Sequence, residues 1–351
     1  MKQTITTVIP TYRRPELLRR AILSVLSQTW RDLQVNVFDD ASGDETANVV
    51  AQLARRDSRV HYIRHSANLG MMPNTAYAVA QVCTPFFTIL NDDDFLAPDF
   101  FMTAMESFER WPSAGVFVGR LLYWDIEIPE RTRSYFTCTR EELVSAPNAA
   151  VRIMATDQNH TWTSMVFRRE VLTELGGVDD EIGFLADLEF ELRVLAHYPT
   201  IMSPQACAVY YLSPQSSSYR DYLTRYLPGA RRILAKFRTD NTLTPNDRRR
   251  LVGALEGHFR RAAKVGAARS LTLEDLEPAR RAAAFLESEF GSPLAASAIR
   301  LAANGNALGR GSRALLRRVK LIRRRLRRDP GVDETLAYVE QVLARLSPRT
   351  A

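Results

Sequence analysis

The chain has 351 residues, 46% of them hydrophobic and 25% charged, with a formal net charge of +7. That balance fits a folded globular protein with one sizeable domain and a smaller one, and it excludes a disordered or fibrous chain. No apolar stretch nears the ~20 residues of a membrane-spanning helix, and Met1-Lys2-Gln3-Thr4 runs straight into a strand pattern, so no membrane span and no signal peptide is expected. Cys83, Cys138 and Cys207 are odd in number and widely spaced and the five histidines lack metal spacing, so neither a disulfide framework nor a Cys/His metal site is expected. The cysteine usage suits a reducing cytoplasm. The charge is divided unevenly. Residues 1–219 hold 19 basic and 27 acidic side chains, whereas residues 220–351 hold 28 and 13. Such asymmetry points to separate jobs, with the second half facing an anionic partner.

In chain order, Thr4–Ile9 forms a strand pattern ended by Pro10-Thr11-Tyr12, and Pro15-Glu16 opens a helix with Leu18, Ile22, Val25 and Leu26 at helical spacing. Val35–Phe38 predicts a second strand that runs into Asp39-Asp40-Ala41-Ser42-Gly43-Asp44, a turn before the next helix. Val60–Ile63 predicts a third, followed by the turn Asn68-Leu69-Gly70 and a helix from about Pro73 to Val82. Phe86–Leu90 is the fourth, with a helix after Pro98-Asp99. Strand and helix alternate through short connections, which predicts a doubly wound, mostly parallel sheet. Further strands are expected at Gly115–Gly119 and Thr161–Phe167, and a helix at Ala186–Val194. Past Tyr219 the chain is helical and Arg/Ala-rich, which places a domain boundary near 220.

Neither GxGxxG nor GxxxxGK[ST] follows any of these strands, which removes the common dinucleotide and P-loop uses of such a sheet. Instead, Asn91-Asp92-Asp93-Asp94 sits at the exit of the fourth strand. Carboxylates crowded at the carboxyl edge of an open α/β sheet repel one another unless a cation neutralises them. Mg²⁺ and Mn²⁺ select such oxygens and share them with substrate phosphates. The plainer alternative is an acidic turn in which Asp94 or Asp99 caps the following helix.

Taken together, the stretches Val8–Arg14, Asp39–Thr46, Asn68-Leu69-Gly70 with Asn74, Leu90–Asp94 with Pro98, and Gly176-Gly177-Val178-Asp179 followed by Asp187 resemble the inverting glycosyltransferases of family 2, non-processive and bacterial in type. The resemblance covers roughly residues 4–215. It implies the GT-A fold on residues 1–219, a Rossmann-like and mostly parallel sheet flanked by helices, with a helical, basic region at 220–351. It also implies a nucleoside diphosphate-sugar donor, UDP above dTDP or GDP, and a divalent Mn²⁺ or Mg²⁺ ion. Pro10, Thr11, Tyr12 and Arg14 match the loop that holds base and ribose. Asp39 and Asp40 match the acids of which one meets the base, and Asn68, Gly70 and Asn74 match the third loop. Turn geometry and helix capping are the plainer readings of several of these residues.

The family's DxD element falls on Asn91-Asp92-Asp93, with Asp93 as the direct metal ligand and Asp92 or Asp94 taking further places. Here an amide replaces the first acid. The general base matches Asp187, which would take the proton from the acceptor hydroxyl. Its customary Glu neighbour is Ala186, with Glu189 and Glu191 nearby. Neither the QxxRW motif nor the membrane helices of processive synthases appear, so one sugar per encounter is expected, transferred to a glycan, a lipid-linked saccharide or a natural-product acceptor. A nucleotidyltransferase shares the sheet and the phosphate chemistry, but Pro10-Thr11-Tyr12 is unlike its Gly-rich loop. A degenerate binding or scaffold module is the non-enzymatic alternative, favoured by Asn91 and Ala186.

Residues 310–328 contain ten Lys and Arg, with Leu315, Leu316, Val319, Ile322 and Leu326 at helical spacing. Such a stripe suits the anionic inner face of a membrane, at about 1 kcal/mol for each basic residue, or packing on neighbouring helices. Nucleic acid is the weakest fit of the three. The last apolar stripe, Leu336, Val339, Val342, Leu343 and Leu346, is expected to cover the tail's own core or to form a homodimer contact.

Overall fold

The computed structural model describes residues 3–128, 132–135, 138–156, 161–212, 222–304, 309–314 and 332–346. Its centre is a sheet that starts with β1 (Ile5–Thr11), β2 (Leu33–Asp39), β3 (Val60–Arg64) and β4 (Phe86–Ile89), alternating with helices α1 (Pro15–Leu26), α2 (Thr46–Arg56) and α3 (Met71–Ala80). These four strands pair in parallel in the order β3-β2-β1-β4, so Thr7 lies beside Val35 on one side and Thr88 on the other. Ile5, Val8 and Ile9 of β1 and all of β4 are buried, as expected when helices cover both faces of a parallel sheet. Their carboxyl ends therefore align, and the loops that follow β1, β2 and β4 meet along one edge.

The second half of the sheet is mixed. The elements are β5 (Phe95–Leu96), α4 (Phe100–Arg110), β6 (Val116–Asp125), β7 (Arg133–Tyr135), β8 (Glu142–Val144), α5 (Asn148–Ala155), β9 (Met165–Arg168), α6 (Glu170–Leu175), α7 (Ala186–His197) and β10 (Thr200–Leu212). Strand β9 runs antiparallel between β4 and β6, β10 lies parallel to β6, and β5 closes the path antiparallel to β10. Gly119 allows β10 to approach β6, since a Cβ there would lie 2.2 Å from Cys207 Sγ.

Several expectations are corrected. Thr161–Phe167 is not one strand. Trp162–Ser164 forms a 3₁₀ turn and the strand starts at Met165, because Trp162 and Thr163 turn toward the acidic loop. The third helix begins at Met71, before Pro73, because Gly70 at φ 95° reverses the chain and the proline then falls in the first turn. Strand β10 escaped the sequence pattern because Pro204 and two register shifts between Met202 and Ala208 break its alternation.

Beyond residue 220 come α8 (Tyr222–Arg238), α9 (Pro245–Thr272), α10 (Leu276–Phe290), α11 (Pro293–Ala302) and α12 (Val332–Leu346). The first four do not form a separate core. Leu234, Leu251, Leu255 and Phe259 belong to the same apolar cluster as Phe87, Phe167 and Phe190 of the sheet and α7. The last helix corrects another expectation. Val339 and Val342, 1% and 2% exposed, pack on Phe95, Leu122 and Val209, so α12 returns to the catalytic sheet instead of covering the tail. Of the basic stretch 310–328, residues 315–328, including the apolar stripe Leu315–Leu326, lie outside the described residues.

Candidate functional site

The loop after β4 divides its four polar residues into two groups. Asp92 and Asp93 face Arg14, whose Nη1 donates to Asp92 Oδ1 at 3.0 Å and to Asp93 Oδ2 at 2.9 Å. Thr11 Oγ1, at the end of β1, donates to Asp92 Oδ2 at 2.8 Å, and Arg20 Nη2, from α1, to the Asp93 carbonyl at 2.5 Å. Burial, then the charge of Asp93, pushes Asp92 up to about 6, and burial pushes Asp93 up as well. Arg14 and Arg20 therefore leave part of the crowded negative charge uncompensated.

Asp94 turns the other way. It is fully buried and accepts from the Tyr211 backbone N–H at 2.9 Å, Asn91 Nδ2 at 3.0 Å and Thr163 Oγ1 at 3.0 Å. Burial and the neighbouring Asp93 nonetheless push it up to about 8. Asn91 completes this inner network, because its Oδ1 accepts from the Trp162 indole N–H at 3.1 Å. Indole only donates, which assigns the amide orientation. An acid at 91 would set two buried carboxyl groups about 3 Å apart, so the amide is what this packing needs. Asp99 takes the N-cap position of α4 without a side-chain cap bond.

The loops after β1 and β2 are tied together. Arg13, at φ 56°, donates its backbone N–H to Ser42 Oγ at 2.8 Å and stacks its guanidinium 5.0 Å from the Tyr12 ring centroid. Tyr12 is 40% exposed at the edge, while Pro10 stays within β1 opposite Phe38. Asp39 is buried and holds Ser42, accepting from its N–H at 2.9 Å, and it takes the Tyr62 hydroxyl at 2.5 Å. Asp40 accepts the N–H groups of Leu69 at 2.6 Å and Gly70 at 2.9 Å, and its carbonyl takes Asn68 Nδ2 at 3.2 Å. Asn74 is buried and donates to the Phe38 carbonyl at 3.0 Å. Asp40, Asn68, Gly70 and Asn74 thus join β2 to α3, and Asp39 fixes the loop that follows β2.

On the other side of the acidic loop stands α7. Asp187 lies in its first turn and accepts from the Leu188 N–H at 2.7 Å. Burial pushes its carboxyl up to about 6, with that N–H working in the opposite direction. Glu189 is fully buried and paired with Arg193 at 2.9 Å and Lys236 at 2.8 Å. Arg193 also donates to the carbonyls of Gly176 at 3.1 Å and Gly177 at 2.6 Å, which pins the Gly176–Asp179 turn to the helix. Asp179, Glu181, Ile182 and Arg232 line an open cleft beside this turn.

Among the described residues, no group of three or more His, Cys, Asp or Glu side chains is arranged to hold a metal ion. Asp92 and Asp93 are brought together with Thr11 and Arg14, whereas Asp94 is committed to the fold. Sequence reading missed the roles of Arg20, Trp162, Thr163 and Tyr211. Their partners lie about 70 or more positions away in most cases, so no local pattern announces them.

Comparison with known proteins agrees with this geometry. Residues 6–176 match the glycosyl transferase family 2. The GalNAc(5)-diNAcBac-PP-undecaprenol beta-1,3-glucosyltransferase of Campylobacter jejuni is 34% identical over 103 residues, covering 29% of this chain and 33% of that protein. The succinoglycan biosynthesis protein ExoW of Rhizobium meliloti is 31% identical over 137 residues, 37% of this chain and 43% of its own. The alignments thus span less than half of each relative's length. Among solved structures, S. aureus TarS 1–349 in complex with UDP-GlcNAc superposes with a TM-score of 0.65 at 16% identity, covering 86% of each chain. Mannosyltransferase PcManGT from Pyrobaculum calidifontis, in complex with GDP-Man and Mn²⁺, gives 0.55 at 18% identity over 99% of this chain and 88% of that one. No helix among the described residues is long and apolar enough to cross a membrane. Residues 6–176 thus match glycosyltransferase family 2, on a fold of the GT-A kind that continues into a helical C-terminal region.

Proposed function

We propose that the protein transfers one sugar, with inversion, from a nucleoside diphosphate-sugar to a hydroxyl of a glycan, lipid-linked saccharide or natural-product acceptor. The observation that carries this reading is the pair Asp92–Asp93, buried and half-buried side by side at the sheet edge with Arg14 shared between them. Two hard carboxylates with substrate phosphates are a fitting donor set for Mn²⁺ or Mg²⁺. Asp93 and Asp92 would hold that ion, which when bound supplies Lewis-acid stabilisation of the departing diphosphate. Asp94 is assigned to positioning the loop.

Tyr12 offers a stacking face for the nucleobase, and the loops fixed by Asp39 and Asp40 form the wall of its pocket. UDP fits the family best. Asp187 acts as the general base. Burial raises its proton affinity, so that it can accept the hydroxyl proton as the acceptor oxygen attacks the anomeric carbon. A single base on the face opposite the leaving group yields inversion.

A thermal-shift panel of UDP, GDP, dTDP and CDP with and without Mn²⁺ tests the reading. A Mn²⁺-dependent rise with one nucleotide is expected. No rise with any of them would return the protein to the binding-module alternative.

A further inference from the structure

The segment 179–189 contains Asp187, and both of its ends meet one side chain of α8. Lys236 Nζ lies 2.9 Å from Asp179 Oδ2 and 2.8 Å from Glu189 Oε1. Between those ends run the 3₁₀ turn Asp180–Leu185 and the first turn of α7, with Asp187 in it. Glu189 does not need Lys236 for neutrality, because Arg193 already donates to its two oxygens at 2.9 and 3.1 Å. What Lys236 adds is a tie from Glu189 to Asp179 and to α8.

The rest of α8 fits the same role. Arg225, Gly229, Arg232 and Lys236 recur at helical spacing and share one face of the helix. The Arg225 guanidinium stacks 4.5 Å from the Phe184 ring centroid, and Arg232 Nη1 donates to the Ile182 carbonyl at 3.2 Å. A Cβ at Gly229 would lie 3.0 Å from Leu185 Cβ, so a glycine there lets α8 lie close against the turn. All of these contacts lie beyond residue 176, where the family match ends.

We propose that Lys236 is a positioning residue that clasps residues 179–189 against α8 and so sets where Asp187 stands on the acceptor side. Lys236 is 38% exposed, and a partly exposed ion pair stabilises a fold only weakly, so the value of this one lies in the geometry it fixes. Rate is sensitive to such placement, because a displacement of about 1 Å can cost about a hundredfold. The helical C-terminal region is then part of the catalytic unit through α8.

The role given to Asp187 rests on the function proposed above, and two readouts in full-length protein keep the two separable. Hydrogen–deuterium exchange of peptides spanning 179–189 reads the clasp, and UDP release from UDP-GlcNAc and UDP-glucose with Mn²⁺ reads the base. Lys236→Met should exchange severalfold faster in that segment with β1 to β4 unchanged. It should also lower kcat about tenfold to a hundredfold with donor KM unchanged. Lys236→Arg, which keeps a cation able to meet both carboxylates, should restore both readouts. Asp179→Ala should match Lys236→Met, and the double variant should be no worse than the poorer single one. Arg238→Met is the control, because Arg238 joins the same helix to Glu256 at 2.8 Å and Glu289 at 3.3 Å, outside the segment. It should leave kcat and the exchange of 179–189 at wild-type values. Unmoved exchange in Lys236→Met, faster exchange with wild-type kcat, an Arg variant as impaired as Met, additive losses, or an equal kcat loss in Arg238→Met would each overturn the proposal. If Lys236→Met does not fold, Asp179→Ala carries the same test. If the wild type releases no UDP, the proposed function falls and exchange in the variants decides the clasp.

Discussion

The two acidic clusters of this molecule differ in what surrounds them. Asp92 and Asp93 share Arg14, with Arg20 on the adjoining backbone, and sit where three loops converge. Asp187, half-buried, and Glu191, buried, lie on one helix face with no ion pair among the described residues. Both clusters have raised proton affinity, yet for different ends. Charge partly compensated by arginine is ready for a further cation and a diphosphate, whereas charge penalised by burial alone makes a base.

The contrast breaks most sharply at Asp187. Exchange for Asn should lower kcat by about a thousandfold, since removal of a general base costs about 10²–10⁴, while a nucleotide-induced thermal shift stays at the wild-type value. Asp93→Asn should cost about a hundredfold and abolish the Mn²⁺-dependent part of that shift. A pH series at saturating Mn²⁺ separates the clusters further. The base acts when deprotonated, so kcat/KM should be flat above about 6 and fall about tenfold per pH unit below it. A profile that rises as pH falls would contradict the role of Asp187.

Asn91→Asp restores the family's first acid, and simple motif reasoning expects a stronger metal site. The inner network gives the opposite result, because the new carboxyl faces buried Asp94. A loss of about 2 kcal/mol, or several degrees in Tm, is expected without a gain in Mn²⁺ affinity. The smallest effect belongs to Val339→Ala in α12, about 1 kcal/mol in urea unfolding with kcat unchanged.

Much of the donor side was legible in the sequence because its signals are local. Strands β1 to β4 are short apolar runs, and each is followed by the polar turn that forms the edge. The placement of Asp92 and Asp93 beside Thr11 and Arg14 follows from parallel pairing of β1 with β4. What escaped depends on distant chain segments. Nothing near Asp94 reveals that it faces Tyr211, 117 positions away, and nothing near Val339 reveals that it packs on β5, β6 and β10. The apolar stripe of α12 was visible, but its partner was a matter of topology. Likewise, Trp162 resembled a strand residue until the loop that it holds was in place.

The most direct measurement is calorimetric titration of UDP with and without Mn²⁺ into the wild type, Asp187→Asn and Asp93→Asn, side by side. Two clusters with separate duties require Mn²⁺-dependent UDP affinity that is retained in Asp187→Asn and lost in Asp93→Asn. UDP affinity indifferent to Mn²⁺ in the wild type, or lost with Asp187 as well, would contradict that division.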